Sequence, residues 1–227
     1  MITGLIDTSP AKEPSRVPLE GRLVTIVPLD AAAHADSLYQ ASHGDGQEDL
    51  WRYLWEGPYP DRAAFETGVR LRAASEDPLC FAIVDKPSGL AVGHCAYLRI
   101  TPEHRVIEIG SILFTPILQK TAGATEAMCL MARHAFEDLG YRRYEWKCDA
   151  LNTPSRRAAL RLGFQFEGIF RQHMISRGRN RDTAWFSMLD GEWPLRKANF
   201  ERWLDPGNFD ANGRQRQSLS RLNGVGE

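Results

Sequence analysis

The chain of 227 residues is long enough for one domain with a substantial core, and 43% hydrophobic with 25% charged residues is an ordinary globular composition. Its 28 basic against 29 acidic side chains leave a net charge of −1, which argues against a protein built to wrap nucleic acid. No apolar run is long enough to span a bilayer, and the start Met1-Ile2-Thr3-Gly4-Leu5 lacks the basic-then-apolar pattern of a secretory signal, so a cytoplasmic protein is expected.

Residues 1–18 hold three prolines and no sustained periodicity, which predicts an extended arm ahead of a single domain over 19–204. Residues 23–28 read as a strand, with Leu23, Thr25 and Val27 alternating against Val24 and Ile26. Helices are expected at 31–41, in short form at 49–53, and over 60–75 from near Asp61. Residues 81–85, 90–100 and 106–114 read as three strands joined by turns short enough for antiparallel hairpins. The next helix carries apolar residues at Met128, Met131, Ala132, Ala135, Phe136 and Leu139, with Gly140 as its stop. A strand at 144–149 then leads to a short helix with Thr153 as cap, Pro154 in first position and Gly163 at its end. Strands at 166–175 and 183–189, separated by 176–182, and a closing helix at 193–203 complete the domain. Residues 205–227 are polar and predict a loosely attached tail. These elements make an α+β architecture: a mixed, mostly antiparallel sheet with helices on its faces.

Cys80, Cys95, Cys129 and Cys148 each fall inside a predicted element among apolar neighbours, without a Cys-x-x-Cys pair, and no histidine pair has zinc-ligand spacing. Reduced buried thiols and no metal centre are expected.

The segment Leu118-Gln119-Lys120-Thr121-Ala122-Gly123-Ala124-Thr125-Glu126-Ala127 follows a buried-type strand and opens a helix. Small side chains let the backbone approach a ligand, and the unpaired N–H groups of a first helical turn suit phosphate oxygens. Residues Gln119 to Thr125 are therefore candidates for binding a pyrophosphate-bearing cofactor. A second strand–helix unit follows, with Asn152-Thr153-Pro154-Ser155 at its turn and Leu162-Gly163-Phe164 at its end.

This pair of units resembles the acetyl-CoA-binding core of the GNAT superfamily of N-acetyltransferases, in the branch that includes the ribosomal-protein N-terminal acetyltransferases. The order of elements carries the resemblance over roughly 20–195, and the specific motifs lie in 106–170. It implies a GNAT-like fold, acetyl-CoA as co-substrate and direct acetyl transfer to a primary amine. Ala122 stands where the family's loop usually has its first glycine, and a loop requiring positive φ there would be strained. The resemblance also implies that the backbone of Leu113, Phe114 and Thr115 contacts the pantetheine arm, that Asn152 reaches it, and that Ser155 approaches the sulfur as the group protonating the departing thiolate.

Glu108 interrupts the apolar run Val106-Ile107-Glu108-Ile109. A carboxyl group buried there would have a raised pKa suited to a general base, and family members often place a glutamate on this strand. The alternative is an exposed Glu108 paired with Arg105 or Arg143. Strict alternation puts Val106, Glu108, Gly110, Ile112 and Phe114 on one face, and a bulge at Gly110-Ser111 would shift that parity. Capping explains Asn152 and Ser155 as readily as cofactor contact does. Arg156, Arg157 and Arg161 can meet a CoA phosphate or form a solvated face.

On the acceptor side, Glu48, Trp51, Tyr53 and Trp55, with Asp45, Asp49 and Glu56, offer an aromatic and acidic lining suited to a cationic amine, or a surface helix with a few buried rings. Arg177, Arg179 and Arg181 crowd one connection and could meet an acidic substrate or RNA, although a neutral chain makes nucleic acid an unlikely partner. The acceptor is open among a protein N-terminus, a small metabolite and an amino-bearing antibiotic, as is the choice of monomer or homodimer. Rivals from other classes are a non-catalytic acyl-CoA-binding regulatory module and an RNA-associated interaction protein.

Overall fold

The computed structural model of the protein describes residues 7–225, so the start of the expected arm, with the segment read against a secretory signal, and the last two tail residues lie outside the described residues. Eight strands form one sheet: β1 (Leu19–Glu20), β2 (Val24–Pro28), β3 (Leu79–Asp85), β4 (Ala91–Thr101), β5 (Val106–Phe114), β6 (Arg143–Asp149), β7 (Gln165–Ser176) and β8 (Arg179–Leu189). Their spatial order is β1-β2-β3-β4-β5-β6-β8-β7. Every neighbouring pair is antiparallel except β5 and β6, which the helical crossover between them makes parallel.

Short polar side chains start the helices as the sequence predicts. Asp30 accepts from Ala33 N–H and Asp61 from Ala64 N–H, opening α1 (Ala31–Ser42) and α2 (Arg62–Ala74). Thr121 does the same for α3 (Ala122–Arg133), which runs on through a π-turn, His134–Asp138. The expected 49–53 helix is a single 3₁₀ turn, Glu48–Trp51. In α4 (Thr153–Leu162) the cap is Asn152 rather than Thr153: its side chain accepts from Ser155 N–H, which moves Thr153 and Pro154 inside the helix. Gly163, at φ 97°, ends it in the left-handed region that favours glycine.

The two faces of the sheet are covered unequally. On one, Ile26, Phe81, Tyr97, Ile107, Ile109, Tyr144, Trp146 and Phe186 pack with α3, α4 and α5 (Trp193–Leu204) in the larger hydrophobic cluster. On the other, Leu38, Trp51, Phe65 and Val69, from α1, α2 and the turn between them, cover Cys80, Ala82, Ala96 and Leu113 of β3, β4 and β5.

Two expectations need correction. The final hairpin is tighter than strands at 166–175 and 183–189 would make it; β7 and β8 join through a two-residue turn, Arg177-Gly178, with φ of 51° and 71°, as a tight hairpin favours. The C-terminal segment is not loosely attached. Leu219, on the short helix α6 (Leu219–Leu222), is fully buried in the larger cluster, and Asn223 is joined by hydrogen bonds to Asn199 and to the Arg161 carbonyl. A few apolar residues spaced among polar ones anchor this segment without producing a readable periodicity.

Candidate active site

Strands β5 and β6 begin side by side and then part. Their parallel register covers only Val106–Glu108 against Arg143–Glu145, although β5 runs on to Phe114 and β6 to Asp149. Beyond Glu108 the facing backbone edges are separated, leaving a fork that a slender amide-bearing chain can enter by pairing as an added strand. A bulge shapes the β5 arm: His94 pairs with Leu113 and Ala96 with Gly110, so Ser111 and Ile112 together oppose one residue of β4. Ser111 has φ 48°, and its carbonyl accepts from His94 Nδ1 at 2.9 Å. Burial holds that imidazole at a pKa of about 3, so it is neutral. The bulge switches parity: Ile107 and Ile109 before it and Ile112 and Phe114 after it all pack in the larger cluster. Glu108 therefore does not share a face with Ile112 and Phe114.

Glu108 stands at the root of the fork, 4% exposed. Its partners are neither Arg105 nor Arg143. Lys147 Nζ lies 3.0 Å and Arg99 Nε 3.7 Å from its Oε2. Burial pushes its carboxyl up to about 7, against the pull of Lys147 and Arg99, and Glu145 alongside adds to the push. Arg143 instead holds Glu145 through Nε at 2.7 Å and Glu167 through a two-pronged contact. Arg105 donates to the Gly140 carbonyl. A buried carboxyl group titrating near neutrality can accept a proton from an amine.

At the mouth of the fork, α3 presents its N-terminus. Thr121 Oγ1 accepts from Ala124 N–H, which leaves the Ala122 and Gly123 N–H groups of the first turn for a ligand. The left-handed residue is Lys120, at φ 61°, whereas Ala122 is already the first residue of the helix. The departure from glycine at 122 therefore brings no strain. Gly123 serves close packing, since a Cβ there would lie 3.1 Å from Val24 Cγ1. Several other side chains in the predicted cofactor set are committed within the protein. Gln119 Nε2 donates to the Phe114 carbonyl, Thr115 Oγ1 donates to the Val92 carbonyl, and Thr125 Oγ1 accepts from Arg161. Leu113 is buried in the smaller cluster. Glu126 accepts from three backbone N–H groups, of Arg22, Leu23 and Val24, and so ties α3 to β2.

From the second unit, Ser155 Oγ accepts the Trp146 indole N–H at 3.0 Å, which leaves its hydroxyl proton to be donated, with the Cys148 sulfur as its neighbour within the protein. The three arginines of α4 divide. Arg161 lies over the Trp203 ring, Arg156 donates to the Ala150 carbonyl, and Arg157 is exposed. The four cysteines are unpaired, and burial raises the thiol pKa of each.

The acceptor side departs most from expectation. Trp51 lines nothing: it is 1% exposed, packed against Phe65 and Tyr59, with its indole N–H donated to the Ser42 carbonyl. Glu48 is exposed, and Tyr53 donates to the Leu151 carbonyl at the turn before α4. Trp55, 52% exposed, is covered on one face by the Arg181 guanidinium. Arg177 is not offered to an external anion. Its Nη2 reaches the carbonyls of Trp51, Leu54, Glu56 and Gly57 and binds the β7–β8 hairpin to the loop after the 3₁₀ turn.

Residues 24–165 match the acetyltransferase (GNAT) domain family. The chain belongs to the GNAT acetyltransferases. A GCN5-related N-acetyltransferase from Brucella melitensis superposes with a TM-score of 0.93 at 48% identity, covering 96% of this chain and 98% of that one. Uncharacterized N-acetyltransferase p20 of Bacillus licheniformis is 33% identical over 113 residues, half of this chain, and the match spans 63% of that relative's length. A Vibrio cholerae structure provisionally described as a ribosomal-protein-serine acetyltransferase shares the fold, with a TM-score of 0.65 at 19% identity over 76% of this chain and 97% of that one. GNAT members take acetyl-CoA as co-substrate, and the fork, its bulge and the capped start of α3, where only Thr121 is exposed and Ala122 half-buried, fit a phosphate-tipped amide chain.

In this GNAT chain the sequence reading missed the charged set around Glu108. Arg99, Lys147 and Trp185 surround it on the face left open beside α1 and α2. A signal was present: Glu145 and Lys147 alternate with Tyr144, Trp146 and Cys148 in a strand whose other face is wholly apolar. Charged residues sharing one parity on neighbouring strands set this face apart from the apolar one. No helix among the described residues is long and apolar enough to cross a membrane.

Proposed function

We propose that this protein transfers an acetyl group from acetyl-CoA directly to a primary amine, with Glu108 as the general base. The observation that carries this reading is a buried carboxyl group, with its pKa near 7, at the root of the fork between β5 and β6. Acetyl-CoA supplies the thioester carbonyl. The β5 edge from Ile109 to Thr115 and the α3 start from Lys120 to Ala124 are the surfaces assigned to hold it, with Asn152 near its arm. Glu108 takes a proton from the attacking amine, which needs a free lone pair to react. Lys147 keeps the resulting charge balance from swinging fully to the protonated acid. Ser155 donates its hydroxyl proton to the departing thiolate and recovers one from water. Trp146 fixes that hydroxyl by donating to its oxygen.

The test is release of the CoA thiol from acetyl-CoA across a panel of peptide, metabolite and aminoglycoside amines, for wild type and Glu108→Gln. Amine-dependent release that collapses in the variant while CoA binding persists supports the proposal. CoA binding with no release for any amine would favour a regulatory acyl-CoA-binding module.

A further inference from the structure

Three strands bring cations, and a fourth a histidine, to the helix-free part of the sheet face beside Glu108. Arg99 arrives on a bulge of β4, where Leu98 pairs with Glu108 and Thr101 with Val106. Its φ is 49°, and its N–H and that of Ile100 are held by the two carboxylate oxygens of Asp77. Lys147 comes from β6 and Arg181 from β8. Both Arg99 and Lys147 lie against the Trp185 ring, at 4.9 and 5.1 Å from its centroid. His173 sits on a second bulge, in β7, with its ring 5.9 Å from that of Trp185. Burial and then the charges of Lys147, Arg181 and Arg99 lower the pKa of its imidazole.

The charges do not cancel. Arg143 is engaged by Glu145 and Glu167, Lys147 by Glu108, and Arg99 lies 3.7 Å from Glu108 and 3.8 Å from Glu145, which leaves Arg181 as the one cation without a carboxylate partner among the described residues. Four buried polar atoms here lack a hydrogen-bond partner among the described residues: the carboxylate oxygens Glu108 Oε2 and Glu145 Oε2, which Lys147 and Arg99 meet as ion pairs, and two donors that no anion meets. Trp185 is 7% and Arg181 8% exposed, yet the indole Nε1 and the guanidinium Nε find no acceptor. Unmade hydrogen bonds at buried donors are costly, and an anion satisfies them together with the surplus positive charge.

We infer that the amine acceptor carries a carboxylate within a few bonds of its amine, bound by Arg99, Arg181 and the Trp185 indole N–H. This rests on the proposed acetyl transfer, with the amine presented to Glu108. Two sources share that chemistry: a free amino acid, with its α-carboxylate, and a peptide whose first side chain is acidic.

The experiment compares kcat/KM for alanine against alaninamide, and for aspartyl-alaninamide against asparaginyl-alaninamide, in wild type, Arg99→Gln and Trp185→Phe. Differences in amine basicity, and any effect of Arg99 on Glu108, cancel when the acid-to-amide ratio is compared between proteins. The ratio should fall about tenfold or more in each variant for whichever pair matches the natural source, chiefly through KM. Trp185→Phe keeps an aromatic face for Arg99 and Lys147 but removes the indole N–H, so it decides the matter if Arg99→Gln does not fold. Thermal protection of the CoA-loaded protein by N-acetylalanine and N-acetylaspartyl-alaninamide gives a readout without turnover. Ratios unchanged in both variants, for both pairs, overturn the inference while leaving acetyl transfer intact. No turnover on any amine, with protection by either ligand that Trp185→Phe abolishes, keeps the anion site and sinks the acetyl-transfer reading. No turnover and no protection overturn both.

Discussion

Along β5, Ile107 and Ile109 lie buried with α3, whereas Glu108, between them, is buried on the opposite face against Lys147. One face of the sheet is closed by three helices. The other is closed only over β3, β4 and the far end of β5, and beyond that edge its inward residues are ionised or aromatic. The same depth of burial thus serves two ends. Under helices it stabilises the fold, and at the open edge it tunes a titratable group. Substitutions on the two faces should separate accordingly.

Glu108→Gln should have the largest effect, lowering turnover by roughly 10² to 10⁴ while CoA affinity measured by calorimetry holds. The loss should shrink at higher pH, where more acceptor is already neutral. In wild type the rate should rise with pH through about 7 as Glu108 gives up its proton. Stability should move the other way. The folded-state pKa lies above the unfolded value of about 4.3, so between these two pH values the folded form holds more protons and loses stability as pH rises. The melting temperature of Glu108→Gln relative to wild type should therefore improve from pH 5 to pH 8. A difference independent of pH would mean that Glu108 does not titrate in that window.

Leu219→Ala tests the covered face. A fully buried leucine should cost about 2–5 kcal/mol in chemical denaturation, with kcat unchanged well below the melting temperature. A loss under about 1 kcal/mol would return the C-terminal segment to the status of an appendage.

Thr121→Ala lies where the two regions meet. Losing the cap should reduce stability by about 0.5–2 kcal/mol and weaken CoA binding, because the first turn of α3 frays. Calorimetry beside a melting curve separates these effects; stability lost without any change in affinity would remove the α3 start from the cofactor site.

The smallest effects belong to a pair in the same loop. Lys120→Gly relieves a left-handed residue and should stabilise by about 1 kcal/mol. Ala122→Gly, inside the helix, should destabilise by about 0.5–1 kcal/mol and leave CoA binding no tighter. The reverse order in melting temperatures would return the strain to position 122.

How far the sequence could be read follows from the range of the interactions involved. Periodicity and caps are local, so α1, α2 and the three strands from β3 to β5 were legible to within a few residues, as was a bulge near Gly110. Glu108 stood out because one charged residue broke an apolar run. Its partners did not, because Arg99 and Lys147 reach it from separate strands, and only sheet register brings them together. Trp51 misled for the opposite reason. Acidic neighbours made a solvent-facing turn look like a lining, while the ring itself turned inward to Phe65. The tail was misjudged because its anchors, Phe209, Leu219, Leu222 and the hydrogen-bonded Asn223, are too scattered to show a period.

The grip of Arg177 on the loop after the 3₁₀ turn has a consequence for how this molecule can diversify. All four of its acceptors are main-chain carbonyls, so the clasp is indifferent to which side chains the loop displays. Of residues 51–57, exposed members such as Arg52 and Trp55 can exchange while the hairpin stays docked, whereas Glu56 is fixed by its ion pair with the buried Arg72. The side chains that this loop presents can therefore drift by substitution, without a compensating change across the clasp.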